Sequence, residues 1–182
     1  MPTTLPDFRL QFPLADIEQH VYAYWATCSA EDKTRETHIE TVIALSMREH
    51  RYLTKEDFAK IVRWKSPRSI TYAARNDEAF VEAVTHTALT TKHERLRIEV
   101  LTLLSGVQWP VASAILHFGY DNLYPILDVR ALGAAGMDPQ AVTYDFNLWW
   151  EYTIFCRRTA QEAGVTMREL DQALWGYRAA PQ

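Results

Sequence analysis

Two apolar helical runs joined by a tight turn constrain the fold more than any other part of this chain. The first run ends at Leu104, and Ser105-Gly106-Val107 forms the turn. Gly106 lets the backbone reverse tightly, and Pro110 suits the first turn of the helix that follows. The second run ends in a loop that brings Asp128 to the start of another helix. The pattern therefore predicts a helical hairpin followed by a helix that begins with an acid.

Apolar residues at three-to-four spacing continue along the rest of the chain, and no period-2 run is long enough to predict a strand. The sequence predicts an all-α fold: one compact multi-helix domain over residues 1–182, with eight to ten helices and the helix-hairpin-helix segment at about 96–136. The capping signals predict helix starts at Ser29 (helix to about His50), Thr54, Asn76 or Asp77, Thr91, Asp138-Pro139 and Thr166, with Gly164 ending the long helix. Phe58, Ile61 and Trp64 are expected to face inward. Further apolar positions of the predicted helices are Phe80, Val81, Val84, Leu96, Val100, Leu101, Leu104, Tyr144, Leu148, Trp149, Tyr152 and Phe155.

Composition excludes several classes of protein. Hydrophobic residues make up 48% of the chain and charged residues 23%, so a packed core is expected rather than a disordered polyelectrolyte. The two cysteines, Cys28 and Cys156, cannot supply a four-cysteine zinc or iron–sulfur site. The six histidines form no ligand motif, so neither a metal nor a cofactor is expected. Without a signal-like N-terminus or an apolar run of about 18 residues, the expected location is the cytoplasm, away from any membrane.

Positive charge is concentrated in one segment. The net charge is −4, but residues 48–75 carry eight Lys or Arg against three acids, a net +5 that leaves −9 for the rest. Within this segment, Lys65 and Arg68 flank Ser66-Pro67 and follow Trp64, at a predicted helix break. The segment predicts either an anion-facing surface that contacts phosphate and bases, or an ordinary solvated helix face.

The turn and the acid each have a functional and a structural interpretation. A glycine turn at a helix N-terminus presents backbone N–H groups that attract phosphate, although many such turns are simple corners. A carboxylate such as Asp128 stabilises the positive charge that develops on a sugar when an N-glycosidic bond breaks. Asp is also a preferred N-cap, so Asp128 is expected to start its helix in either case.

The hairpin and the acid together resemble the helix-hairpin-helix DNA glycosylase superfamily. The similarity rests on Leu-Ser-Gly-Val at 104–107, the small-residue helix Ala-Ser-Ala-Ile-Leu at 112–116 and Tyr-Pro-Ile-Leu-Asp at 124–128, which is most similar to the adenine-excising branch. The resemblance implies an all-α fold, a DNA-backbone-binding hairpin at Gly106 and Val107, and Asp128 as the catalytic aspartate. The DNA-binding residues expected on this basis and from the basic segment are Ser105, Gly106, Val107, Gln108, Trp109, Lys65 and Arg68.

The chain departs from the family pattern at specific positions. Gln108 stands where the family usually has a second glycine, and Pro110 stands where bifunctional members carry a nucleophilic lysine. Lysine-dependent strand cleavage is therefore not expected. The adenine-excising branch also uses a glutamate near the first helices, and Glu36 and Glu40 lie in that part of the chain without a motif to support either.

Two hypotheses of different classes follow. The first is a monofunctional DNA glycosylase that hydrolyses the N-glycosidic bond with Asp128. The second is a non-catalytic module on the same scaffold that binds DNA or another protein. DNA is the expected partner under the first, and the acidic net charge together with Gln108 and Pro110 favours the second.

Overall fold

A computed structural model describes residues 7–138 and 140–178, and in these residues all regular structure is helical, with no strand. The helices are α1 (Ile17–Thr27), α2 (Ala30–His38), α3 (Ala44–His50), α4 (Lys55–Lys65), α5 (Ile70–Ala73), α6 (Glu78–Thr90), α7 (Glu94–Glu99), α8 (Trp109–Gly119), α9 (Val129–Ala134), α10 (Phe146–Ala163) and α11 (Met167–Gly176). Short 3₁₀ turns cover Leu14–Asp16, Pro67–Ser69 and Val100–Leu103. The all-α prediction is confirmed.

Local capping signals predicted most helix ends correctly. A π-helical turn at Ile39–Ile43 joins α2 to α3, so one continuous helix ends at His50 as predicted, and the described residues contain ten continuous helices. Thr54 caps α4, and Asp77 caps α6. The capping boxes and C-caps at the end of the chain are also as predicted, because Thr166 and Glu169 cap α11 reciprocally and Gly164 ends α10 with φ +67°.

The predicted cap of α7 is wrong. Thr91 is the C-cap of α6, its hydroxyl accepts the N–H of His93, and His93 takes the N-cap position of α7. α7 therefore begins two residues later than the spacing of Thr91 and Glu94 suggested. Of the apolar positions in these helices, Phe80 and Leu96 are 40% and 47% exposed.

The long helix α10 begins later than Asp138-Pro139. Asp138 accepts the N–H of Gln140 and supports a turn, whereas Asp145 caps α10 through the N–H of Leu148. Pro139 lies outside the described residues. The predicted start is wrong because Asp-Pro favours a turn as well as a helix start. Tyr144 consequently lies just before α10.

The described residues form two compact units. One, named the hairpin unit here, comprises Ala30–Asp121 and holds α2–α8. The other, named the terminal unit, comprises the residues up to Ser29 together with those from Asn122, and holds α1 and α9–α11. The single-domain assignment stays a prediction.

The hairpin unit is built around α8. Every residue from Val111 to Gly119 is buried, and α3, α4, α6 and α7 pack against this helix. Arg97 of α7 is buried at 6% exposure, and its guanidinium donates to the carbonyl oxygens of Ala88 and Thr91 and to the hydroxyl of Tyr120. Arg97 thus satisfies carbonyl groups left without partners at the end of α6.

The terminal unit is held by close backbone packing. A Cβ on Gly176 would overlap the carbonyl oxygen of His20 and lie 2.9 Å from the nitrogen of Tyr24, so only glycine lets α11 approach α1 this closely. The segment before α1 is fixed by Arg9 and Gln11, whose N–H groups donate to the carbonyl oxygens of Ala135 and Ala134 at 2.9 Å. These bonds satisfy carbonyls at the end of α9.

Two further absences apply to the described part of the chain. None of its helices has the length and apolar character required to cross a bilayer. Residues 7–138 and 140–178 contain no group of three His, Cys, Asp or Glu side chains suited to hold a metal ion. Cys28 and Cys156 are both free thiols, the first half-buried and the second buried.

Candidate functional site

The hairpin turn is clamped by a side chain from 29 residues earlier in the chain. The amide of Asn76 accepts the N–H of Ser105 at 2.9 Å and donates to the carbonyl oxygen of Ser105 at 3.0 Å. The same side-chain nitrogen donates to the carbonyl oxygen of Ala73 at 2.9 Å. Because Asn76 is buried, these three bonds fix the turn to the end of α5 with little competition from water.

Gly106 is required by the packing of the protein itself. Its φ is +84°, and a Cβ there would lie 2.8 Å from the nitrogen of Ala73 and 2.9 Å from the carbonyl oxygen of Ser69. The absent side chain therefore makes room for the backbone of α5 and of the 3₁₀ turn before it. Gly106 therefore has a packing role inside the protein that is separate from the DNA contact expected for the hairpin.

The turn leaves three backbone donors without partners. Within the described residues no acceptor meets the N–H groups of Gly106, Gln108 and Trp109. The side chain of Gln108 is exposed and makes no capping bond to α8. Ser105 and Val107 differ, because Asn76 holds the N–H of Ser105 and the N–H of Val107 donates to Leu104 at 3.0 Å. Three N–H groups without a partner, at the N-terminus of an eleven-residue helix and in the turn before it, can bind an anion.

The predicted cations lie in the same unit as the turn. Arg68 is in the 3₁₀ turn Pro67–Ser69, whose Ser69 carbonyl packs beside Gly106, and Arg68 is exposed with no ion pair in the described residues. Lys65 is half-buried at the end of α4. Sequence reasoning did not select Arg75, which follows α5 and lies 5.0 Å from the ring centroid of the exposed Tyr72. The side chain of Val107 is buried, and Trp109 is half-buried.

Asp128 lies in the terminal unit and caps α9. Its Oδ1 accepts the N–H of Arg130 at 2.9 Å, and the side chain is half-buried. The guanidinium of Arg130 lies over the ring of Trp175, 4.1 Å from the ring centroid. The four residues before Asp128, from Tyr124 to Leu127, are buried. Packing therefore holds the backbone segment that leads to the Asp128 carboxylate.

Two tyrosine hydroxyls respond to the charge of Asp128. Burial, and then the carboxylate of Asp128, raise the pKa of Tyr144 above its ordinary value. The pKa of Tyr152 is raised well above its ordinary value, chiefly by complete burial, with smaller effects of Cys156, Asp171 and Asp128. Burial likewise raises the pKa of the Cys156 thiol far above its usual range. Both tyrosines therefore stay neutral at every ordinary pH.

The two glutamates named from the sequence, Glu36 and Glu40, differ in burial. Glu36 on α2 is 1% exposed, whereas Glu40 is half-buried. Buried glutamates are rare in proteins. Glu40 lies within the π-helical turn Ile39–Ile43, and Glu36 lies one turn before it. Such turns inside α-helices often accompany functional sites. No local motif marks Glu36, because its burial depends on contacts formed only in the fold.

Comparison with known proteins gives a distant structural likeness. No family model matches the chain, and no curated protein matches it. Among solved structures, the chain is similar to an 8-oxoguanine glycosylase/lyase of Methanocaldococcus jannaschii in complex with a 15mer DNA containing 8-oxoguanine, at 18% identity over 89% of this chain and 79% of that chain, with a TM-score of 0.44. A second structure, 8-oxoguanine DNA glycosylase from the same organism, gives the same identity and TM-score over 77% of its chain. A likeness this distant assigns neither an activity nor site residues to this chain.

Proposed function

We propose that this protein is a monofunctional DNA glycosylase of the helix-hairpin-helix type. In this proposal the hairpin unit binds the DNA backbone through the turn at Ser105–Trp109 and through Lys65 and Arg68. Asp128 in the terminal unit is the catalytic carboxylate. These roles are the ones that the sequence resemblance implies for the same residues.

The observation that carries the proposal is the construction of the hairpin turn. Asn76 and the backbone of α5 hold the turn rigidly, while the N–H groups of Gly106, Gln108 and Trp109 stay available. A rigid set of donors at a helix N-terminus suits a phosphate group, because the donors need no reorganisation on binding. The exposed Arg68, one residue from the Ser69 carbonyl that packs on Gly106, adds a cation for the same phosphodiester backbone.

Asp128 would act on the sugar of a flipped nucleotide. The bond between C1′ and the base nitrogen breaks, its electron pair leaves on the base nitrogen, and positive charge develops on the sugar. The carboxylate stabilises that charge and takes a proton from the water that adds to C1′. The departing base nitrogen takes up a proton from solvent water, so that the base leaves as a neutral molecule.

Strand cleavage is not part of the proposal. Pro110, in the first turn of α8, has no amine, so it cannot form the covalent imine through which bifunctional enzymes of the resembled family cleave the strand. Release of the base with an intact, alkali-labile strand is the expected product.

A non-catalytic DNA-binding module is the second candidate. The bond from the N–H of Arg130 to Asp128 gives this carboxylate a sufficient structural role as a helix cap. Under this alternative the hairpin unit still binds DNA, but no base is released.

Base release and DNA binding separate the two candidates. Purified protein is incubated with duplexes carrying a panel of damaged or mismatched bases, and released bases are quantified. We expect release from at least one substrate, and Asp128→Asn should lower the single-turnover rate by about 10³-fold or more while DNA binding persists. Asparagine is also a good N-cap, so the variant keeps α9.

Two outcomes would decide against catalysis. No release across the panel leaves the binding module, and an Asp128→Asn variant with the wild-type rate removes Asp128 from the chemistry.

A further inference from the structure

Three buried side-chain polar atoms that lack a close hydrogen-bond partner belong to a short stretch of the chain. Among the described residues these atoms are the hydroxyl of Tyr144, the indole N–H of Trp149 and the hydroxyl of Tyr152. The thiol of Cys156 also interacts with the Tyr152 hydroxyl. All three lie in the terminal unit. Trp149 and Tyr152 are completely buried. Because a buried polar group without a partner is unfavourable, such a cluster in a packed interior indicates a bound ligand or water.

The three atoms belong to neighbouring parts of the structure. Trp149 and Tyr152 are three residues apart on α10, which places them on the same face of the helix. Tyr144 immediately precedes the N-cap of α10. The ring of Tyr124 stacks on Trp149 with centroids 5.6 Å apart and an interplanar angle of 18°. Since Tyr124 begins the buried segment that ends at Asp128, α10 supports the loop that carries the proposed catalytic carboxylate.

The surroundings define the chemistry of the occupant. The pKa values of Tyr144 and Tyr152 are raised by burial, and the charge of Asp128 acts in the same direction, so both hydroxyls are neutral donors. An anion is disfavoured beside Asp128 and the buried Asp171. The ring of Phe8 contacts that of Tyr152, with centroids 5.5 Å apart, and stacks on Phe155 at 5.6 Å, so the surroundings of Tyr152 are largely apolar. A small, neutral molecule that both accepts and donates hydrogen bonds fits these conditions, and water is that molecule.

We propose that the hydroxyl of Tyr144, the indole N–H of Trp149 and the hydroxyl of Tyr152 form an internal water site beneath the Asp128 loop. We name these three groups the donor set. Internal water of this kind typically makes about three hydrogen bonds to groups that would otherwise lack partners. Its catalytic use rests on the proposed function: the donor set keeps ordered water near the carboxylate that must orient an attacking water. The existence of the water site does not depend on that use.

A crystal structure of the full chain, at a resolution that shows ordered solvent, tests the site directly. We expect a water molecule within hydrogen-bond distance of the Tyr144 or Tyr152 hydroxyl in the wild type, and its loss in Tyr152→Phe. The exposed Tyr22, on α1 of the same unit, provides the matched control, because Tyr22→Phe should leave the water in place. Absence of solvent at all three groups in the wild type would overturn the proposal.

Stability and activity give two further readouts. If water is bound, Tyr144→Phe and Tyr152→Phe each remove one hydrogen-bond partner of that water. The midpoint of thermal unfolding of each variant should then stay the same or fall. A rise in the midpoint of both variants would mean that the hydroxyls lack partners in the folded protein, and it would contradict the water site.

The activity readout separates this inference from the proposed function. In a base-releasing wild type, Tyr144→Phe should lower the rate at least several-fold, with Tyr22→Phe unchanged. A wild type that releases no base disproves the proposed function, and the crystallographic result still decides whether the water site exists. A rate unchanged by Tyr144→Phe would overturn the catalytic use of the water.

Discussion

The two units differ in how particular buried polar side chains are bonded. In the hairpin unit the buried Asn76 and Arg97 each make several hydrogen bonds, to the turn and to the end of α6 respectively. In the terminal unit the buried Asp171 is hydrogen-bonded, whereas the donors of Tyr144 and Trp149 meet no acceptor in the described chain and the Tyr152 hydroxyl interacts with the Cys156 thiol. The contrast separates two kinds of site: a rigid turn whose backbone donors lack partners, and an interior with hydrogen-bonding capacity close to a carboxylate.

The largest expected effect tests how the terminal unit is held together. Gly176→Ala places a methyl group against the backbone of His20 and Tyr24, which α1 cannot relieve by moving a side chain. We expect a loss of about 3 kcal/mol in the free energy of unfolding, measured by chemical denaturation. The control is Gly164→Ala, because a Cβ there meets nothing within 4 Å and only its φ of +67° is unfavourable. Its cost should be about 1 kcal/mol; equal losses would disprove the packing argument.

The next effect concerns the clamp in the hairpin unit. Asn76→Ala removes the three bonds to Ser105 and Ala73 and leaves backbone groups of the turn unsatisfied. We expect a loss of about 2–4 kcal/mol of stability and weaker DNA binding, measured by denaturation and by fluorescence anisotropy. Asp77→Ala, which removes only the adjacent helix cap, should cost about 1 kcal/mol and leave DNA affinity unchanged. Wild-type affinity in a folded Asn76→Ala protein would show that the rigid turn is not needed for binding.

The terminal unit should make the protein sensitive to alkali. The folded chain holds the proton of Tyr152 more tightly than the unfolded chain, whose tyrosines lose it near pH 10. Above that pH the unfolded state binds fewer protons, so stability falls as pH rises, by about 1.4 kcal/mol per pH unit for each such group. Tyr152→Phe should flatten the decline measured between pH 10 and 11, and Tyr22→Phe should not. An identical slope in Tyr152→Phe would place the alkali sensitivity elsewhere.

The smallest expected effect tests the exposed cation of the hairpin unit. Arg68→Ala should weaken DNA binding a few-fold at every sequence and lower the slope of log affinity against log salt by about one, as expected for one lost phosphate contact. Arg95, an exposed arginine of the same unit that pairs with Glu99 at 2.9 Å, supplies the control. If Arg95→Ala has the same effect as Arg68→Ala, binding depends on net charge rather than on a surface beside the turn.

Features set by neighbouring residues could be predicted from the sequence. The caps at Asp77, Asp128 and Thr166 depend on side chains within three residues of the N–H groups that they bind. The start of α7 was predicted wrongly because Thr91 and Glu94 have the spacing of a capping box although Thr91 ends α6.

Features set by distant residues could not be predicted. The clamp joins Asn76 to Ser105, and the glycine of the turn packs on a helix more than thirty residues earlier in the chain. The burial of Glu36 and the unpartnered donors beneath Asp128 also arise only when separate helices pack together. Sequence reasoning therefore selected the turn and the aspartate, but it did not reveal the clamp or the donor set.

The proposed function requires that the backbone N–H groups of the hairpin turn that lack an internal partner contact DNA. Amide NMR tests this contact most directly. A short duplex is titrated into the ¹⁵N-labelled full chain at low salt. We predict the largest shifts at the N–H signals of Gly106, Gln108 and Trp109, with a smaller shift at Ser105, whose N–H is held by Asn76. Unchanged hairpin amides during binding at another surface, or no binding at low salt, would contradict the account.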